Sequence, residues 1–133
     1  MPSRGLIVFS AMLPMACGGS SVTGGGGNPP PGASVNMAEY HFTPETLRVT
    51  VGTAVQWSNA GTTDHTSTSD SAGLWNSAAL APPGPPPMTC PYPPCNGTPG
   101  ATFQFTFARA GTYPYHCMFH QGLGMKGVVI VTP

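Results

Sequence analysis

The chain has 133 residues and no formal net charge, and Asp, Glu, Lys and Arg together make up only 6% of it. These figures allow one domain of about 100–120 residues. They exclude a partner held by electrostatics alone, such as nucleic acid or an anionic membrane surface. Gly (18) and Pro (17) are abundant and favour turns over helices. The four Cys have to be assigned one at a time.

Residues 1–16 read as an export signal, in which Arg4 precedes an apolar run from Leu6 to Met15. That run is shorter than the roughly 20 apolar residues a membrane-spanning helix needs. Ala16-Cys17-Gly18 resembles a bacterial lipobox, whose Cys becomes the lipidated first residue of the mature protein, although Pro14 stands where that pattern usually has Leu. The alternative is an ordinary cleaved signal with Cys17 incidental. Either way the protein is expected to be exported, to the periplasm or cell envelope, and lipidation of Cys17 would hold it at a membrane. Residues 17–33 are Gly-, Ser- and Pro-rich and cannot bury a core. They form a tether whose mean reach is on the order of 20 Å.

Residues 34–133 are expected to form the domain. After Tyr40-His41-Phe42-Thr43-Pro44 comes a run in which Leu47, Val49 and Val51 share one face and Arg48 and Thr50 the other. Gly52-Thr53 turns the chain, and Val55 and Trp57 alternate with Gln56 and Ser58. Phe103, Phe105 and Phe107 alternate again, a strand is expected over 112–117, and Val128 to Val131 is apolar on both faces, as in a central strand. Short period-2 runs separated by Gly, Asn and Pro predict an all-β sandwich or barrel. Leu74 to Leu80 could form one helical turn at most.

The richest stretch is Tyr113 to Gly127, which carries Cys117, His120 and Met125 spaced C-x2-H-x4-M. A thiolate, an imidazole and a weak thioether on one loop between two strands suit copper, but one strong ligand is missing. Of the four His, His120 is already on the loop. His116 precedes Cys117, so in a strand it points to the opposite face. His41 lies beside Phe42 as an exposed or edge residue. His65 fits best, just past a strand end and the Gly61 turn.

Trp57-Ser58-Asn59, then Asp64-His65-Thr66, then Gly111-Thr112-Tyr113-Pro114-Tyr115-His116-Cys117 with His120-Gln121-Gly122, Gly124-Met125 and Gly127, resemble a cupredoxin of the plastocyanin type. Phe42, Pro44, Leu47, Val49 and Gly52 are similar to that family's opening strands, and the likeness runs over about 37–133. It implies a Greek-key β-sandwich of about 7–8 strands holding one type 1 (blue) copper ion. By position, His65, Cys117 and His120 would be equatorial ligands and Met125 the axial one. Asn59 and Thr66 are the candidates for hydrogen bonds that tie the ligand loops together.

Residues 81–100 are a Pro-rich insertion containing Cys90 and Cys95, which in an exported protein are expected to pair as a local disulfide. So small a ring would shape the loop more than stabilise the domain. The resemblance implies a monomeric one-electron carrier that docks transiently with redox protein donors and acceptors. The few-charge loop of Met118, Phe119, Gln121, Gly122, Leu123 and Gly124 around His120 suits that role. The alternative is a copper-delivery lipoprotein in which the metal is cargo. A multi-copper enzyme would need a second His cluster, so no enzymatic activity is expected.

Overall fold

A computed structural model describes residues 33–89, 92, 94 and 96–133. The chain forms β1 (Ser34–Ala38), β2 (His41–Thr43), β3 (Thr46–Thr50), β4 (Ala54–Asn59), β5 (Thr68–Ser69), β6 (Thr102–Thr106), β7 (Gly111–His116) and β8 (Lys126–Thr132). They make two four-stranded sheets, in the orders β2-β1-β4-β6 and β3-β8-β7-β5. The first sheet pairs β1 with β4 in parallel and the second pairs β3 with β8 in parallel; the other pairings are antiparallel. This is the Greek-key β-sandwich expected from the sequence.

The period-2 pattern determines which face of each strand is inward. In β4, Val55 and Trp57 are fully buried, and Asn59 follows them on the same face. In β8, Gly127, Val129 and Val131 are buried and the intervening Val128 and Ile130 half-buried, because β3 and β7 flank the strand. The aromatic centre is Trp57, whose ring lies 5.5 Å from Tyr115 and 5.8 Å from Trp75. A buried Trp or Tyr removes some 150–250 Å² from water. At about 25 cal/mol per Å², each of these rings contributes roughly 4–6 kcal/mol of transfer free energy.

One local expectation differs from the structure. Val51 does not join the face of Leu47 and Val49: β3 stops at Thr50, and Val51 enters the turn at Gly52 (φ 86°) and is exposed. Phe103 and Phe105 alternate with exposed Gln104 and Thr106 as expected, and are only partly buried because β6 is an edge strand. The segment from Leu74 to Leu80 has no helical turn. It forms isolated bridges from Asn76 to Thr68 and from Leu80 to His65, with Ala78 at φ 56° between them, and is anchored by buried Trp75, whose Nε1–H donates to Ser67 Oγ at 3.0 Å.

The Pro-rich insertion leaves the sandwich beside the His65 loop. Its base is closed by Ala101 N–H to the Ala81 carbonyl (2.9 Å) and Gly84 N–H to the Thr98 carbonyl (2.9 Å). Cys90 and Cys95, and with them the expected disulfide, lie outside the described residues, as do Cys17 and the rest of the leader and tether up to residue 32.

Candidate metal centre

The site lies at the end of the sandwich where β4 and β7 finish. β7 ends at His116, so Cys117 is the first residue beyond the ladder, and its thiol is fully buried. The following loop folds on itself through three backbone bonds. His120 N–H donates to the Cys117 carbonyl (3.2 Å), Met125 N–H to the His120 carbonyl (3.2 Å), and Cys117 N–H to the Met125 carbonyl (3.1 Å). A short 3₁₀ turn over Gln121–Leu123 ends at Gly124, whose φ of 86° is reached without strain because it lacks a Cβ. The turn brings fully buried Met125 back beside Cys117 and His120.

The fourth residue comes from the β4–β5 connection. His65 is fully buried and held by reciprocal backbone bonds with Leu80, at 3.2 and 2.8 Å. Its Nδ1 lies 3.9 Å from Cys117 Sγ, and His120 Nδ1 lies 3.4 Å from the same sulfur. The ligand atoms of His65, Cys117 and His120 all fall within 4.8 Å of one another. Atoms sharing a metal through bonds of about 2.0–2.3 Å have separations of this size. The donors also suit the ion chemically, since thiolate and imidazole both bind copper. Burial, with His120 adding to it, pushes the pKa of His65 down, so its ring is held in the neutral form a ligand requires.

Asn59 and Thr66 brace this arrangement. Asn59 Nδ2 donates to the carbonyls of Thr63 (2.8 Å) and Leu80 (2.7 Å), and its Oδ1 accepts from Gly61 N–H (2.9 Å). Thr66 N–H points at Cys117 Sγ (3.4 Å), while Thr66 Oγ1 accepts from Met118 N–H (2.8 Å). One residue therefore shapes the His65 loop and the other joins that loop to the Cys117 loop.

His41 and His116 lie apart from the cluster: His41 Nδ1 bonds the Glu39 carbonyl at 2.9 Å, and His116 Nδ1 pairs with Asp70 at 2.5 Å. Sequence reasoning did not single out Tyr40, whose ring meets His120 edge-on at 5.1 Å, or Glu39, which bonds Thr62. Both occupy the β1–β2 turn, far from the ligands in sequence, and no spacing signal links them to the site. Tyr40, Met118, Phe119 and Leu123 form an exposed apolar rim around half-buried His120.

Comparison with known proteins agrees with this geometry. The sequence profile of the copper-binding proteins of the plastocyanin/azurin family matches residues 32–132. The chloroplastic plastocyanin of Physcomitrium patens is 53% identical over 34 residues, or 26% of this chain. That match spans only 20% of the plastocyanin's own length. A reduced-state amicyanin variant superposes with a TM-score of 0.51 at 31% identity, covering 74% of this chain and 80% of its own. A purple cupredoxin from Nitrosopumilus maritimus superposes with a TM-score of 0.58, covering 74% of this chain and 98% of its own; at 24% identity it speaks to the fold alone.

Proposed function

The chain belongs to the plastocyanin/azurin family of copper-binding proteins, and on that premise we propose that it is a type 1 copper protein carrying single electrons between redox partners in the cell envelope. The observation that carries the reading is preorganisation. His65, Cys117 and His120 are gathered to within 4.8 Å by backbone bonds and packing of the chain itself.

A bound copper ion supplies a one-electron couple between Cu(I) and Cu(II). The protein's task is then to keep its ligands in the same place in both states. Cys117 supplies the thiolate, and the amide of Thr66 opposes the charge on its sulfur. His65 and His120 supply neutral nitrogens, and Met125 is the proposed weak fourth donor. Burial of His65, Cys117 and Met125 would keep water from a bound ion, while His120, only half-buried, faces the rim. That rim of Tyr40, Met118, Phe119 and Leu123 is apolar and uncharged, as suits brief docking over a small area.

A catalytic role is not proposed. Of the four His in the chain, two belong to this cluster and the others are engaged by the Glu39 carbonyl and Asp70. We further propose a monomer divided as leader (1–16), tether (17–33) and copper domain (34–133). It would be exported and held at the membrane by a lipid on Cys17. The support for export and anchoring is the apolar run and Ala16-Cys17-Gly18.

The test is a visible spectrum of the purified protein with Cu(II). An intense blue thiolate-to-copper band is expected, and it should vanish in Cys117→Ser. A pale wild-type complex sinks the type 1 assignment. Reversible one-electron voltammetry with slow copper loss to a chelator supports a carrier, whereas rapid loss supports copper delivery.

A further inference from the structure

The β1–β2 turn consists of Glu39 and Tyr40, and both residues reach the histidine loops. Tyr40 adopts φ 65°, an uncommon conformation for a residue with a side chain, and its ring meets His120. The Glu39 carboxylate accepts from the amide of Thr62 and, at 2.7 Å, from Thr62 Oγ1. These two bonds fix the carboxylate against the loop that carries His65.

Next to Thr62 lies buried Gly61. A Cβ placed there would fall 2.8 Å from Glu39 Oε1 and 3.1 Å from His65 Nε2. A carboxylate oxygen and a ring nitrogen therefore flank one small space, which is open because residue 61 is glycine. His65 Nε2 is buried and has no hydrogen-bond partner among the described residues, while the opposite ring nitrogen, Nδ1, faces Cys117. A histidine that binds metal through one nitrogen almost always donates from the other to a carboxylate, a carbonyl or water.

We propose that Glu39 is a positioning residue of the copper site, its carboxylate being the acceptor toward which Nε2–H of His65 is held across the Cβ-free face of Gly61. Thr62 fixes the carboxylate, and the missing side chain of Gly61 leaves the space between it and His65 Nε2 open. The negative charge behind His65 makes the imidazole a stronger donor, which favours Cu(II) over Cu(I) and lowers the reduction potential. The inference rests on the copper reading above, with His65 as a ligand.

The experiment compares the full-length wild type with Glu39→Gln, Glu39→Asp and Thr62→Val. It measures Cu(II) and Cu(I) affinity, reduction potential, and the His65 Nε2–H resonance in the diamagnetic Cu(I) form. Glu39→Gln, which keeps the shape and removes the charge, should weaken Cu(II) binding roughly 10–100-fold. Each tenfold loss for Cu(II) beyond that for Cu(I) raises the potential by about 59 mV for one electron. The Nε2–H resonance should shift and exchange faster. Glu39→Asp should give a smaller change of the same sign. Thr62→Val, which loosens the tether and leaves the charge, should move the potential least. If Glu39→Gln leaves both the potential and the Nε2–H resonance at wild-type values, the proposal is wrong. It is equally wrong if Thr62→Val shifts the potential as far as Glu39→Gln, because the role is then only to tether the loop. A blue wild type with an indifferent Glu39→Gln overturns this inference alone; a wild type that takes no copper overturns both.

Discussion

Removing the Asn59 side chain should destabilise the domain even without metal. Asn59 is 2% exposed and makes three hydrogen bonds, to the Thr63 and Leu80 carbonyls and from Gly61 N–H. A bond of this kind contributes a net ~1 kcal/mol, and a buried group left unpaired costs about 1–3 kcal/mol. The Leu80 carbonyl retains His65 N–H, and Thr63 is exposed enough for water to replace the lost donor. Gly61 N–H is buried and has no such recourse. Asn59→Ala should therefore lose about 3 kcal/mol, or on the order of 15 °C in Tm for a domain of this size. Asn59→Asp is the sharper control, since it keeps the volume but turns an oxygen toward two carbonyl oxygens; its loss should be at least as large at neutral pH. Circular dichroism during heating in the presence of a chelator measures both. An Asn59→Ala domain within ~0.5 kcal/mol of wild type would refute the view that this side chain builds the His65 loop.

Other perturbations test other parts of the structure. Thr66→Ala strips Met118 N–H of its acceptor and should cost about 1 kcal/mol in chelator-treated protein, with Thr66→Ser restoring most of it in denaturant titrations. Trp75→Ala removes a core ring from an irregular segment. It should cost about 3–5 kcal/mol, and a loss under 1 kcal/mol would mean the segment is not anchored there. Tyr115 is fully buried, and that burial, only partly offset by the indole N–H of Trp57, raises its pKa to about 12. The folded state thus keeps a proton that the unfolded chain gives up near pH 10, so stability falls as pH rises through this window, by up to roughly 2–3 kcal/mol. Ultraviolet titration should show one tyrosine silent until well above pH 10, and ionisation near pH 10 in the folded protein would contradict the burial.

The sequence shows most plainly what depends on neighbours along the chain. The alternation in Val55-Gln56-Trp57 and the apolar run from Val128 report which faces are buried, because side chains two apart in a strand share an environment. Cys117, His120 and Met125 are legible for the same reason, lying on one loop with fixed spacing. The sequence does not reveal that β1 runs parallel to β4, or that Trp75 enters the core from a segment without regular structure. Those facts depend on contacts between distant residues. Glu39 and Tyr40 escape for the same reason: Glu39 meets Thr62 and Tyr40 meets His120 only once β1 lies beside β4.

The parallel pairing of β3 with β8 has a consequence for the order of events in the life of the molecule. It sets Thr46 against Val128, so the second sheet closes only when the last strand finds a partner laid down most of the chain earlier. Pairings of such long sequence separation form slowly. Cys117 and His120, by contrast, are neighbours from the outset, so the unfolded chain already offers a soft metal two of the three clustered donors. Metal held by the unfolded chain does nothing to favour the native state and reduces the stabilisation that binding would otherwise give. A chain that met copper before folding would therefore begin from a competing complex. Loading gains its full effect only when folding comes first.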